Sequence, residues 1–359
     1  MRTRNWSSKN SLSERTECEH VSPFSSDRLI NILSRFQWAF CQLNMLRNVV
    51  EPDVPKLLAE LPETLDETYE RVLNNINEYN RERACRLLHC LAVAVRPLRV
   101  EELAEILTFN FDGAHAVAGV PMFHADRRPE DQEKAVLSLC SSLITVVPDN
   151  WGSRVVQFSH FSVKEFLTSR HLVGQMTSYQ ILPVPAHTIL AQVCLGLLLH
   201  SDDSKNNDVV KNSPLAEYAA QHWVTHAQFE DVSSRVEDGM KALFDPDRPH
   251  FAAWIDLYDI DAESGGRLTS AIPSPLYYSA LCGFYDLVQH IYDKHPEDVK
   301  AFGGSYGFPL VAALCRKHFR VAELLLELGG SIGLRDVRMW CERVRDATTS
   351  RNPRRLQSL

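Results

Sequence analysis

Pro275-Leu276-Tyr277-Tyr278-Ser279-Ala280-Leu281-Cys282-Gly283-Phe284-Tyr285-Asp286-Leu287-Val288 lines up with Pro309-Leu310-Val311-Ala312-Ala313-Leu314-Cys315-Arg316-Lys317-His318-Phe319-Arg320-Val321-Ala322, at an offset of 309 − 275 = 34 residues. Each copy opens on Pro-Leu, runs through small and apolar residues, breaks briefly, and resumes with an apolar stretch. Proline suits the first position of a helix, where its missing N–H is not needed. Leu324-Leu325-Leu326-Glu327-Leu328-Gly329 then reads as a helix exit, with Gly329 placed for a left-handed cap. Self-similarity at such a period predicts helix pairs that bury their apolar faces on one another. Two units are few for a self-sufficient stack, so the helices before them are expected to cap the first copy, and a chain cut short of further copies is the favoured reading of its end.

Working outward, Glu263 to Ser274, with Gly265-Gly266 and Pro273, reads as the clearest linker. Residues 180–260 read as all-helical, with a helix start at Ser213-Pro214 and an apolar face of Leu215, Tyr218, Ala219, Trp223 and His226. Further upstream, Ala84–Val95, Val100–Leu107 and Pro129–Leu139 read as helices. Leu143–Val147 and Val155–Phe158 read as strands around the turn Pro148-Asp149-Asn150-Trp151-Gly152. Three helices followed by a hairpin is the order of a winged helix. Ser162 and Glu165 are spaced as a capping box for the next helix. A helix is predicted over Leu65–Ile76, entered through Pro62-Glu63-Thr64, and apolar periodicity runs from Leu29 to Leu46. Residues 1–27 and 337–359 are polar, the latter rich in Arg.

Composition sets the class. The 359 residues are 45% hydrophobic and 23% charged, and 38 basic against 46 acidic residues give a net charge of −8. That balance offers no general attraction to nucleic acid or anionic lipid. The nine cysteines form no Cys-x-x-Cys pair and sit in apolar text, as reduced cytosolic cysteines do, so a cytoplasmic location is expected. Ile189–Leu199, the greasiest run, is too short to span a bilayer.

Candidate chemistry is sparse. Gly303-Gly304-Ser305-Tyr306-Gly307 matches Gly-x-Ser-x-Gly, but a hydrolase elbow needs a strand-to-helix turn with an Asp and a His downstream, and only His318 follows. A tight turn explains the glycines better. His222 and His226 lie one helical turn apart and could chelate, but Trp223 stands where a zinc protease needs Glu, so packing is the preferred reading. His160, Glu165, Asp66, Glu67, Glu70, Glu101 and Glu102 read as capping or solvated residues. In a DNA-binding winged helix the third helix carries Arg or Lys; here Glu130, Asp131 and Glu133 accompany one Lys134.

Leu61-Pro62-Glu63-Thr64-Leu65-Asp66-Glu67-Thr68-Tyr69-Glu70-Arg71-Val72-Leu73, Arg96-Pro97-Leu98-Arg99-Val100-Glu101-Glu102-Leu103-Ala104-Glu105 and Phe158-Ser159-His160-Phe161-Ser162-Val163-Lys164-Glu165-Phe166-Leu167 resemble the region after the nucleotidase core of fungal NACHT–ankyrin proteins of the STAND class. The winged helix there is also named for GPI inositol-deacylase. Phe36-Gln37-Trp38-Ala39-Phe40-Cys41-Gln42-Leu43 is similar to the end of the NACHT module, and the paired copies at 274–336 are similar to ankyrin repeats, whose period is about 33. The likeness covers about residues 28–336. No Gly-Lys dipeptide occurs, so the phosphate loop of that ATPase is missing and no cofactor is expected.

The resemblance implies a mainly α fold: a disordered arm (1–27), a helical NACHT remnant (28–80), a winged helix (81–172), a helical spacer or cap (173–262), a short ankyrin solenoid (274–336) and a basic tail (337–359). It implies a non-catalytic scaffold that binds a protein partner, with no nucleic acid, membrane or metal. The ankyrin binding face, carried over by position, comprises Tyr278, Leu281, Cys282, Phe302, Ser305, Tyr306, Phe308, Ala312, Cys315 and Arg316. Pro275, Leu276, Gly283, Leu310 and Leu324 are then fold residues. The alternatives are part of a signalling NTPase whose nucleotide domain is absent, a serine hydrolase using Ser305, and a defective gene product.

Overall fold

A computed structural model describes residues 35–43, 61–111, 118–169, 172, 174–200, 204–262 and 273–331. The arm at 1–27, the basic tail at 337–359 and most of the linker at 263–274 lie outside the described residues. The chain forms two compact units, residues 1–68 and 69–359.

In the first unit, helix α1 spans 35–43, and α2 (Leu65–Asn74) begins. Thr64 caps α2, its hydroxyl accepting from Glu67 N at 3.2 Å, while the Glu67 carboxylate accepts from Glu63 N at 3.0 Å. Trp38 Nε1 donates to Pro62 O at 2.8 Å, and Gln42 Nε2 to Thr68 Oγ1 at 3.0 Å.

The second unit opens with α3 (Glu78–Val93), β1 (Leu98–Arg99) and α4 (Val100–Glu105). After a short ribbon of β2 (Phe109–Asn110) and β3 (Met122–Phe123) come α5 (Gln132–Cys140) and a hairpin of β4 (Ile144–Pro148) and β5 (Arg154–Phe158). The antiparallel sheet has the order β1-β5-β4, with Val156 paired to both Val146 and Leu98. The predicted order of three helices and a hairpin holds.

Two local expectations need correcting. Helix α5 begins three residues after Pro129, because the Asp131 side chain accepts from Lys134 N at 2.9 Å and sets the start there. Helix α6 (Phe161–Thr168) is capped by His160 and not by a Ser162–Glu165 box. His160 is extended, its Nδ1 accepts from Ser162 N at 3.3 Å, Ser162 is already inside the helix, and Glu165 stays exposed.

The helical region follows: α7 (Pro183–Leu198), α8 (Ser204–Lys211), α9 (Ala216–Ala227), α10 (Val232–Arg235), α11 (Glu237–Leu243) and α12 (His250–Leu257). Helix α7 is apolar on most sides and buried along its C-terminal half, where Gly196 lets the Pro121 carbonyl approach within 2.4 Å of where a Cβ would stand. Leu215, Tyr218, Ala219, Trp223 and His226 are all buried, as their spacing predicts. Among the described residues no helix is long and apolar enough to cross a membrane.

Two helix pairs close the described chain: α13 (Pro275–Cys282) with α14 (Tyr285–Lys294), and α15 (Pro309–Cys315) with α16 (Phe319–Glu327). First helix packs on first and second on second. The backbones agree bond for bond at the 34-residue offset: Phe284 N donates to Ser279 O at 3.2 Å, and His318 N to Ala313 O at 2.9 Å. The turn residue is left-handed in both copies, Gly283 at φ 77° and Lys317 at φ 63°. Gly283 is required twice over, since a Cβ there would meet the His318 ring at 2.3 Å.

Candidate partner-binding site

The connection between the two pairs is built around one buried carboxylate. Gly303 N donates to Gly307 O at 2.7 Å, closing a tight tip with Gly304 and Gly307 at positive φ. Asp261, 4% exposed, accepts from Ser305 N at 2.6 Å and from the Tyr277 hydroxyl at 3.1 Å. Tyr306 N in turn donates to the Tyr277 oxygen at 3.1 Å, and Ser305 Oγ donates to the Asp261 carbonyl at 3.2 Å. Burial pushes the Asp261 carboxyl above its usual range despite the Ser305 and Tyr277 bonds, and burial together with the adjacent carboxylate pushes the Tyr277 phenol up. Ser305 therefore has its hydroxyl committed to a backbone carbonyl, and among the described residues a carboxylate, not an imidazole, is bonded beside it. The arrangement is a turn clamp.

In this geometry most of the expected binding face is packed against neighbouring elements. Tyr278, Leu281, Cys282, Ser305, Tyr306, Ala312 and Cys315 are buried, and only Phe302, at 68% exposure, projects freely. Phe308 and Arg316 are half-buried, Phe308 against Phe302 with ring centroids 5.4 Å apart and Arg316 donating to Ile260 O at 3.4 Å. The physical reason is that α13 and α15 pack on each other and that the helical region covers the first pair. Tyr278 donates to Asp259 at 2.7 Å and packs edge-on against Phe251 and Trp254. Trp223 stacks on Phe284, and Gln228 donates to Cys282 O at 2.6 Å.

Exposed rings appear instead where the second helices begin. Tyr285 and Phe319 are 40% and 61% exposed and occupy equivalent positions of the two copies, with the Arg320 guanidinium 5.5 Å from the Tyr285 ring. Sequence reasoning passed over them because they were not among the positions carried over from the repeat pattern. The available signal was two aromatics at the same offset, each at the first position of a second helix.

His222 and His226 do not converge on a common point. His226 is fully buried, with Nδ1 2.9 Å from His187 Nδ1 and Nε2 2.9 Å from the Tyr218 hydroxyl, while His222 packs edge-on to Tyr218. Burial first, then His187 and His222, lowers His226 to about 3. Tyr218 also accepts from Val95 N at 3.1 Å, which ties α9 to the segment after α3.

Two buried glutamates organise the winged helix. Glu102 accepts from Arg96 at 2.7 and 2.8 Å and from Arg99 N at 2.8 Å. Burial alone would raise its carboxyl, but the Arg96 and Arg99 partners hold it below the usual range. Glu105 accepts from Arg128 at 2.6 Å and from Ser213 Oγ at 2.8 Å. Helix α5 contributes Glu133, which pairs with Arg154 of β5.

Residues 69–177 match the family described as "GPI inositol-deacylase, winged helix domain", in agreement with the helices and hairpin found there. A curated relative, "Azaphilone pigments biosynthesis cluster protein L" of Monascus ruber, is 31% identical over 297 residues, covering 77% of this chain. The chain spans 61% of that relative's length. No solved structure matches the chain.

Proposed function

We propose that the chain is a non-catalytic interaction module, in which the two helix pairs are ankyrin-type repeats that hold a protein partner. The winged helix and helical region act as the spacer of a NACHT-type signalling protein. The observation that carries this reading is the exposure of Phe302, Tyr285 and Phe319 on a stack whose first helices, α13 and α15, are largely buried. Exposed rings on a rigid helical stack are what association hot spots use. The resemblance of residues 28–336 to NACHT–ankyrin proteins supports the wider assignment.

The test is affinity capture with the full chain as bait, beside Phe302→Ala and a Tyr285→Ala/Phe319→Ala double variant. The expected result is a protein retained by the intact chain and lost from one of the two variants. Loss with Phe302→Ala assigns the tip, and loss with the double variant assigns the starts of α14 and α16. A partner held equally by all three baits, or no protein retained above an empty support, removes the proposal.

A further inference from the structure

The winged-helix domain carries a groove of about 690 Å³ between α3, α5 and the segment around β2. Its walls include Asn80, Arg83, Arg86, Phe111, Arg127 and Ser138. Glu82 is the one carboxylate lining it among the described residues, and Glu82 is taken by Arg86 at 2.8 Å. The Arg86 guanidinium also lies 4.3 Å over the Phe111 ring, a cation–π contact within the groove.

Four other arginines of this domain are neutralised. Arg96 and Arg99 pair with Glu102, Arg128 with Glu105, and Arg154 with Glu133. Arg83 and Arg127 differ: both are exposed, both face the groove, and neither forms an ion pair among the described residues. Two unpaired guanidiniums beside a stacked third make a local positive site in a chain of net charge −8. Guanidinium forks match phosphate and carboxylate in bidentate geometry.

We propose that this groove binds a small molecule that joins a planar apolar ring system to a phosphate or a carboxylate. The volume falls within the range of small-molecule sites, about 300–1,000 Å³. The anion would meet Arg83 and Arg127, the ring would lie against Phe111 and the flat face of Arg86, and Asn80 and Ser138 would supply neutral hydrogen bonds. A nucleic-acid strand fits less well, because exposed Glu130 and Asp131 stand just beyond Pro129 on the groove's rim and would face its continuing phosphates.

The experiment titrates the full chain with 1-naphthyl phosphate and 1-naphthoate, followed by naphthalene fluorescence. Inorganic orthophosphate and 1-naphthol are the anion-only and ring-only arms. Saturable binding of at least one ringed anion is expected, with both partial probes at least about tenfold weaker, and the tighter ringed anion identifies the head group. An Arg83→Ala/Arg127→Ala variant with unchanged circular dichroism should weaken binding by about tenfold or more, whereas Arg235→Ala, away from the groove, should not. The proposal is overturned if neither ringed anion saturates below about 5 mM, if naphthol or orthophosphate binds as well, or if the double variant binds like the wild type.

Discussion

The winged helix and the stacked helices that follow it solve the same problem, fixing one element against another, with different chemistry. In the winged helix the fixed points are carboxylates: Glu102 and Glu105 are fully buried and each is held by arginines that reach the surface. In the stack the fixed points are rings: Trp223, Phe244, Phe251, Trp254, Tyr278 and Phe284 form one continuous cluster. Where the two regions meet, directional bonds accompany the packing of α3 on α7: Arg99 donates to the Pro214 carbonyl at 3.3 Å and Ser213 to Glu105 at 2.8 Å. Directional bonds set position at a seam, and apolar area supplies the bulk of the stability.

The difference can be broken at its strongest point first. Trp223→Ala should cost about 4 kcal/mol, because the indole touches helices on both sides of the boundary between the helical region and the first pair. Denaturant unfolding measures it, and a loss under about 1 kcal/mol would show that the ring cluster is not the fixed point claimed. Trp223→Phe should cost much less, since the indole N–H has no partner among the described residues and its removal leaves nothing unsatisfied.

In the winged helix, Glu102→Gln should cost about 2–3 kcal/mol by leaving Arg96 and Arg99 without their carboxylate. Because Glu102 titrates below the usual range in the fold, its stabilisation is full above the ordinary carboxylate pKa and lost as pH falls through the lowered value. Wild type should therefore lose stability in acid more steeply than the Gln variant, as pH-dependent melting would show.

A second acid effect belongs to the stack. His226 has an ordinary value of 6.5 and about 3 in the fold, so the unfolded chain takes up a proton first as pH drops. Stability is complete above 6.5 and should decline below it by up to roughly 1.4 kcal/mol per pH unit. His226→Gln should flatten that decline between pH 6 and 4, as measured by melting; an unchanged slope would show that the His187–His226 contact does not titrate as described.

The smallest effect separates the two copies of the helix pair. Lys317 holds the left-handed conformation that Gly283 holds in the first copy, so Lys317→Gly should stabilise the chain by about 0.5–1 kcal/mol. A melting temperature that falls would mean the Lys317 side chain contributes more than its backbone costs.

Much of this was legible in the residues. The 34-residue offset gave both helix pairs, and the helix exit gave the left-handed Gly329, because proline, glycine and leucine act there through local geometry. The winged-helix order followed from alternating helical and strand-like runs. Burial on the expected binding face was not legible: Tyr278 looks like a surface ring until Asp259, 278 − 259 = 19 residues upstream, accepts from its hydroxyl. Ser305 and Tyr306 look like loop residues until Asp261 and Tyr277 accept from their backbone N–H groups. The pairing of Glu102 with Arg96 was equally hidden, since acidic residues in a first turn read as solvated by default. Tertiary partners decided these positions, and spacing carries no trace of them.

The glycine tip has one more implication. The Gly303–Gly307 closure and the Asp261 clamp fix the backbone that follows Phe302, and Phe308 supports its ring from the edge. A ring carried on backbone already held in place brings less further ordering to any contact made with it.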